Sequence, residues 1–172
     1  CEELARHIDP NLPGKTLIFA ATDDHADLVV TLLTKAFSER YGDVPADTVA
    51  KITSKADKPQ ELIRRFRNED NQVKVGVTVD LLTTGIDVPS IVNLVFLRRV
   101  RSRILYEQMK GRATRLCEDL HGPGDHKDSF RIFDAVAVYD ALEPMTNMKP
   151  VVRDPAITIQ QLVDELARAA HP

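Results

Sequence analysis

Five short runs dominate the chain: "TLIFAAT" (Thr16–Thr22), "TVAKIT" (Thr48–Thr53), "VKVGVTVD" (Val73–Asp80), "IVNLVFL" (Ile91–Leu97) and "FRIFDAV" (Phe130–Val136). Each is rich in β-branched or aromatic residues, and helical patterns fall between most of them. Strands apolar on both faces of the pleat suit the interior of a parallel sheet. Parallel neighbours need crossover connections, and helices supply them. The alternation predicts an α/β domain in three layers, a mainly parallel sheet with helices on both faces.

"DDHADLVVTLLTKAFSER" follows the first strand, with Thr22 or Asp23 as N-cap and Leu28, Leu32 and Ala36 on one face. "DKPQELIRRFRNE" reads as a second helix. Pro59 suits its first turn, and Leu62, Ile63 and Phe66 face inward. A third helix is expected from about Ser102 to Leu116, then a Gly/Pro/Asp loop in "HGPGDHKDS". The body spans 1–142, a proline-rich linker 143–157 and an amphipathic helix 158–172. Ile159, Leu162, Val163 and Leu166 form that helix's apolar face. It either packs back on the body or leads into a missing C-terminal region.

A net charge of −3 excludes a generally basic nucleic-acid coat, so any anion site must be local. Cys1 and Cys117 are too few for a disulfide framework, which points to a reducing cytosolic compartment. No apolar run approaches the roughly 20 residues needed to span a membrane. The chain opens on Cys1 rather than methionine, which suggests a piece of something longer.

Positive charge gathers in "QMKGRATR" (108 to 115). On a continuous helix Gln108, Arg112 and Arg115 share one stripe at i, i+4 and i+7. Leu105, Met109, Ala113 and Leu116 form the buried stripe beside it, while Arg103, Glu107 and Lys110 point to solvent. Gly111 permits close backbone approach. Two convergent guanidinium groups suit a phosphate. An exposed basic face paired with nearby acids is the alternative. "RRVRSR" (Arg98–Arg103) lies just upstream at a strand end, and open α/β sheets bind ligands outside the carboxyl ends of their strands.

"VTVDLLTTGIDVPS" follows the third strand. Thr83, Thr84 and Gly85 make a turn rich in hydroxyls and amides, and Asp87 precedes the extended Val88-Pro89. Such a turn can bind phosphate oxygens and its carboxylate can accept sugar hydroxyls. A plain strand-end turn capped by Asp87 is the alternative.

Other chemistry is sparse. "PGKT" (Pro13–Thr16) mimics the end of a P-loop, but Asp9 stands where the first glycine belongs and Lys15 leads into a strand. No D-E-x-D or D-E-x-H string offers a Mg²⁺-holding carboxylate. Cys117, His121 and His126 do not make a zinc pattern. Asp134 reads as a structural strand-end carboxylate.

Together these segments resemble the second RecA-like domain of superfamily 2 helicases and translocases. "KTLIFAAT" looks like motif IV, "KITSKADKPQELIRRF" like the short motif after it, "VTVDLLTTGIDVP" like motif V and "QMKGRATR" like motif VI, Q-x-x-G-R-x-x-R. Order and spacing fit across 15 to 116. "TVDLLTTGIDVP" and "FRIFDAVAVYDAL" look most like the motor subunit of type I restriction endonucleases.

The resemblance implies roles by position. Arg112 and Arg115 match arginines that reach the γ-phosphate of ATP across an interdomain cleft. Such a finger is worth about 10³–10⁵ in rate in other phosphotransfer enzymes. Gln108 matches a glutamine at the moving interface. Gly85 and Asp87 match motif V residues near the nucleotide, with Asp87 toward the ribose. Thr22, Ser54, Thr83 and Thr84 match positions that touch the DNA backbone without reading sequence. Val79-Asp80 departs from the Thr-Asp of many RNA-helicase relatives, and Thr78 is one residue out of phase.

The implied function is the second motor domain of a bacterial, cytoplasmic DNA translocase. It would share ATP and Mg²⁺ with a first RecA-like domain of the same full-length chain, partner modification and specificity subunits, and be inactive alone. The alternatives are another superfamily 2 DNA-repair or RNA helicase, a stand-alone nucleic-acid-binding or regulatory module, and an unrelated phosphate-binding α/β enzyme.

Overall fold

The computed structural model describes residues 1–55, 58–68, 72–79 and 88–138. The linker and final helix expected over 143–172 lie outside them. In chain order the elements are α1 (Glu2–His7), β1 (Lys15–Phe19), α2 (Asp23–Tyr41), β2 (Val49–Lys51), α3 (Pro59–Arg67), β3 (Val75–Thr78), β4 (Ile91–Phe96), α4 (Arg103–Lys110), β5 (Cys117–Gly122), β6 (Asp125–Lys127) and β7 (Arg131–Asp134).

β2, β3, β1, β4 and β7 lie side by side in that order, and every pairing is parallel. Every residue of β1 is buried, as a central strand requires. Period-two alternation divides the core. Leu17, Phe19, Leu94 and Phe96 face one layer, with Ile63 and Phe66 of α3 and Tyr106 and Met109 of α4. Ile18, Val75, Val77 and Val95 face the other, with Val29, Leu33 and Phe37 of α2 and Ala5 of α1. The three-layer α/β/α arrangement is therefore present.

At Gly76 of β3 the side chain of Phe66 on α3 packs close to the backbone. A Cβ there would lie 3.0 Å from Ile52 Cδ1 and 3.2 Å from Phe66 Cζ. Its bare backbone lets Phe66 seat fully.

Several expectations need correction. The buried face of α2 is Ala26, Val29, Leu33, Ala36 and Phe37. Leu28 and Leu32 are 55% and 45% exposed. "HGPGDHKDS" is not simply a loop. Most of it lies in the antiparallel β5–β6 hairpin, in which Gly122 pairs with Asp125. Gly122 and Gly124 take positive φ at its turn, and Asp119 Oδ1 accepts the Gly124 amide at 2.7 Å. α1 had no forecast; Tyr41 Oη of α2 lies 2.9 Å from the Ala5 carbonyl oxygen and 3.3 Å from that of Ile8.

The third helix is shorter than expected. Ser102 Oγ accepts the Leu105 amide at its start. Beyond Lys110 the chain tightens. Arg112 N–H donates to Met109 O at 3.2 Å and Ala113 N–H to Lys110 O at 3.0 Å, both i→i−3 bonds. Leu116, expected on the buried stripe, is 80% exposed, whereas Met109 and Ala113 are buried.

Candidate functional site

At the carboxyl edge of the sheet, Thr22 follows β1 and Ser54 follows β2. Thr22 Oγ1 caps α2 by accepting the His25 amide at 3.1 Å. Both residues are exposed. A charged cluster fixes the ground between them. Lys51 Nζ lies 3.0 Å from Asp23 Oδ2 and 2.7 Å from Asp27 Oδ1, and Thr53 Oγ1 donates to Asp23 Oδ1 at 3.2 Å. The Lys51 hydrogen bond is the main reason the Asp23 carboxyl is held below the usual carboxylate range. Hydrogen bonds to Asp27 and then Asp23 raise the Lys51 ammonium. Nearby, Arg98 donates to Val79 O at 2.8 Å, joining the ends of β3 and β4.

Thr78 is fully buried, so its hydroxyl does not present itself to a backbone outside. Among the described residues neither Thr78 Oγ1 nor Ser90 Oγ has a hydrogen-bond partner. Thr83, Thr84, Gly85 and Asp87 lie outside the described residues.

The arginines sit elsewhere. α4 carries the chain away from the carboxyl end of β4, and "GRATR" forms the turn beyond it. Arg112 and Arg115 therefore do not share a continuous helical stripe with Gln108. Gln108 is exposed on α4, Arg112 half-buried and Arg115 exposed.

What fixes this turn is Lys127, which is 4% exposed. Its Nζ donates to Ala113 O at 2.7 Å, Arg115 O at 2.8 Å and Pro89 O at 2.8 Å. An ammonium has three donors, and here all three meet carbonyls. Two are carbonyls that a continuing helix would have paired internally. The third belongs to the residue two places after Asp87, beside the amino end of β4. The arginine turn thus lies next to Pro89 at the amino end of β4, at the edge opposite Thr22 and Ser54. Burial pushes the Lys127 ammonium below the usual lysine range, with Cys117 acting in the other direction. Sequence reasoning missed Lys127 because nothing in the spacing of "GPGDHKDS" marks it, and it missed the Lys51 cluster because its members are far apart in the chain.

Lys15, the lysine of "PGKT", is buried at the start of β1. It donates to Asn68 O at 3.0 Å and Val73 O at 2.6 Å, tying the end of α3 to the approach to β3. Its ammonium is committed to structure rather than to an anion cradle. Among the described residues no group of three or more His, Cys, Asp or Glu could hold a metal ion. No helix among them is long and apolar enough to cross a membrane. A cleft of ≈ 250 Å³ runs along the amino ends of the strands, lined in part by Gly14, Thr16, Asn93 and Arg131. It includes none of Gln108, Arg112 or Arg115, and three of its polar residues bond one another: Asn93 to Thr16 and Arg131 to Asn93, both at 3.1 Å.

Residues 1–117 match the family model described as the helicase conserved C-terminal domain. The chain is 51% identical over 170 residues to the type I restriction enzyme EcoKI endonuclease subunit of Escherichia coli K12, covering 96% of this chain and 14% of that protein. Among solved structures it resembles a fragment of a chain assigned as an HsdR subunit of a type I restriction enzyme from Vibrio vulnificus YJ016. That match has TM-score 0.64 and 29% identity, over 87% of this chain and 28% of that one. It also resembles the C-terminal domain of S. cerevisiae Dbp5, with TM-score 0.54 and 17% identity, over 85% of this chain and 78% of that one. The last likeness is one of fold alone. The chain spans only a small part of the length of the two restriction-enzyme relatives.

Proposed function

Because the chain belongs to the helicase conserved C-terminal domain family, we propose that it is the second motor lobe of an ATP-dependent DNA translocase in a type I restriction enzyme. The carrying observation is the Lys127 bridge, which fixes the turn bearing Arg112 and Arg115 beside Pro89, just after Asp87. The 51% identity to a restriction endonuclease subunit favours this assembly over other helicases.

Two guanidinium groups on one anchored turn suit the γ-phosphate of ATP held by a first RecA-like lobe. Their planar forks of donors match phosphate oxygens. Their value comes from pre-arranged positive charge where negative charge develops in phosphoryl transfer. Asp87 accepts ribose hydroxyls, Gly85 allows close backbone approach and Gln108 links the turn to the moving interface. Lys15 is committed elsewhere, so the triphosphate cradle and the carboxylate for Mg²⁺ come from the first lobe. Mg²⁺ supplies charge neutralisation on the phosphates.

At the opposite edge, Thr22 and Ser54 contact DNA phosphates; Thr83 and Thr84, which lie outside the described residues, are assigned the same role from their sequence positions alone. Hydroxyl contacts of this kind are blind to sequence, as a motor that moves along arbitrary duplex requires. Nucleotide and DNA thus meet different edges of one rigid sheet, so closure on ATP at one edge shifts the grip at the other. The lobe works in the bacterial cytoplasm with modification and specificity subunits and is inactive by itself.

The test is steady-state ATP hydrolysis by the full-length subunit with DNA. Arg112→Ala and Arg115→Ala are expected to lower DNA-stimulated turnover by about 10³-fold or more. Near-normal turnover in both would overturn the assignment.

A further inference from the structure

Lys127 lies beyond residues 1–117, the stretch matched by the helicase family. It stands at the end of β6, paired across the hairpin with Cys117. Its three acceptors come from two separate segments, Pro89 on one side and Ala113 and Arg115 on the other. Burying an ammonium is costly unless its donors are met, so the three contacts stand or fall together. Two of the acceptors are main-chain carbonyls in the arginine turn itself. Holding them fixes where the Arg115 backbone sits while leaving that residue exposed. A cation close behind the last turn of α4 also complements the negative end of that helix.

We propose that Lys127 is a positioning residue for the motor: the β5–β6 hairpin is a brace that uses this lysine to lock the Arg112–Arg115 turn to the segment following Asp87. The proposal rests on the motor reading above. The hairpin does not touch ATP in this scheme. It acts through the arginines, by keeping their backbone in one place as the lobes open and close. A displacement of about 1 Å at a charge-stabilising group can lower a rate by about 10²-fold. Lys127 therefore governs turnover more than nucleotide affinity.

The experiment uses the full-length subunit with DNA, a radiolabelled ATP hydrolysis assay and amide hydrogen exchange. Lys127→Met keeps the stem and removes the donors. It is expected to lower kcat by about 10–100-fold with KM for ATP within about threefold. Exchange should quicken in peptides covering 111–116 and not in those covering β1 or β3. Lys127→Arg restores a cation with donors and should turn over at least about threefold faster than Lys127→Met. In an Arg112→Ala/Arg115→Ala background, Lys127→Met should cost nothing further, because the groups it positions are gone. Wild-type kcat in Lys127→Met overturns the proposal. So does a loss that multiplies with that of the arginine pair, an Arg variant as slow as the Met variant, or global unfolding of Lys127→Met, which would make Lys127 an ordinary core residue. If Lys127→Met is slow while the arginine variants turn over normally, the motor reading itself fails, and the brace with it.

Discussion

Lys51 at the end of β2 and Asp23 at the start of α2 lie 3.0 Å apart, and this pair closes the corner between Thr22 and Ser54. The Asp23 carboxyl is held below 3.8 by this partner. A carboxyl lowered in the folded state stabilises fully above its unfolded value and loses that contribution as pH falls through the folded one. Lys51 is raised above 10.5, so its share is present below 10.5 and fades as pH rises through the folded value. Between about pH 5 and 9 both contributions are intact. Asp23→Asn is expected to melt below wild type by a constant margin across that window, and the margin should shrink as pH drops beneath 3.8. Thermal melts at stepped pH check this. A margin that grows on acidification would contradict it.

Leu33 is fully buried, whereas Leu28 and Leu32 on the same helix are largely exposed. Leu33→Ala should cost about 2–5 kcal/mol in urea unfolding of this chain. Leu28→Ala and Leu32→Ala should each stay within about 0.5 kcal/mol. Equal losses at all three would mean that the helix presents a different face.

That contrast also marks how far the sequence could be read. The strands and helices of the sheet were legible because "TLIFAAT" and "IVNLVFL" are apolar on both faces and helical patterns stand between most of the runs. The inner face of α2 was not. "ADLVVTLLTKAF" is apolar nearly all round, so periodicity alone could not choose between the Leu28 stripe and the Val29–Leu33–Phe37 stripe. Phe37 is fully buried in one cluster with Val29, Leu33, Ile18 and Val77, so that stripe is the inner one.

Gly76 of β3 lies close against the side chain of Phe66 on α3. Gly76→Ala should destabilise by about 1–3 kcal/mol, because the added methyl meets Ile52 and Phe66 with little room to move. Adding Ile52→Val removes the nearer methyl and should recover part of the loss. An unchanged urea midpoint in Gly76→Ala would show that the sheet yields there.

The arginine site was legible in part. "QMKGRATR" placed Gln108 on a helix, as found, but the i, i+4, i+7 spacing assumed a helix continuing to Leu116. The chain leaves α-helical geometry after Lys110, and Lys127 rather than a continuing helix meets the carbonyls of Ala113 and Arg115. A contact made from a hairpin more than ten residues away leaves no periodic trace. Ser102, by contrast, was readable as a start, and its Oγ accepts the Leu105 amide. Ser102→Ala should lower stability by about 1 kcal/mol, read from the urea midpoint. No change would mean that the cap is dispensable.

The central claim is that Arg112 and Arg115 face a nucleotide held by a neighbouring lobe. An experimental structure of the full-length subunit with DNA, Mg²⁺ and a non-hydrolysable ATP analogue measures it most directly. The account predicts guanidinium nitrogens of at least one of the two at about 2.7–2.9 Å from γ-phosphate oxygens. Both side chains turned to solvent in a closed, nucleotide-bound subunit would contradict it.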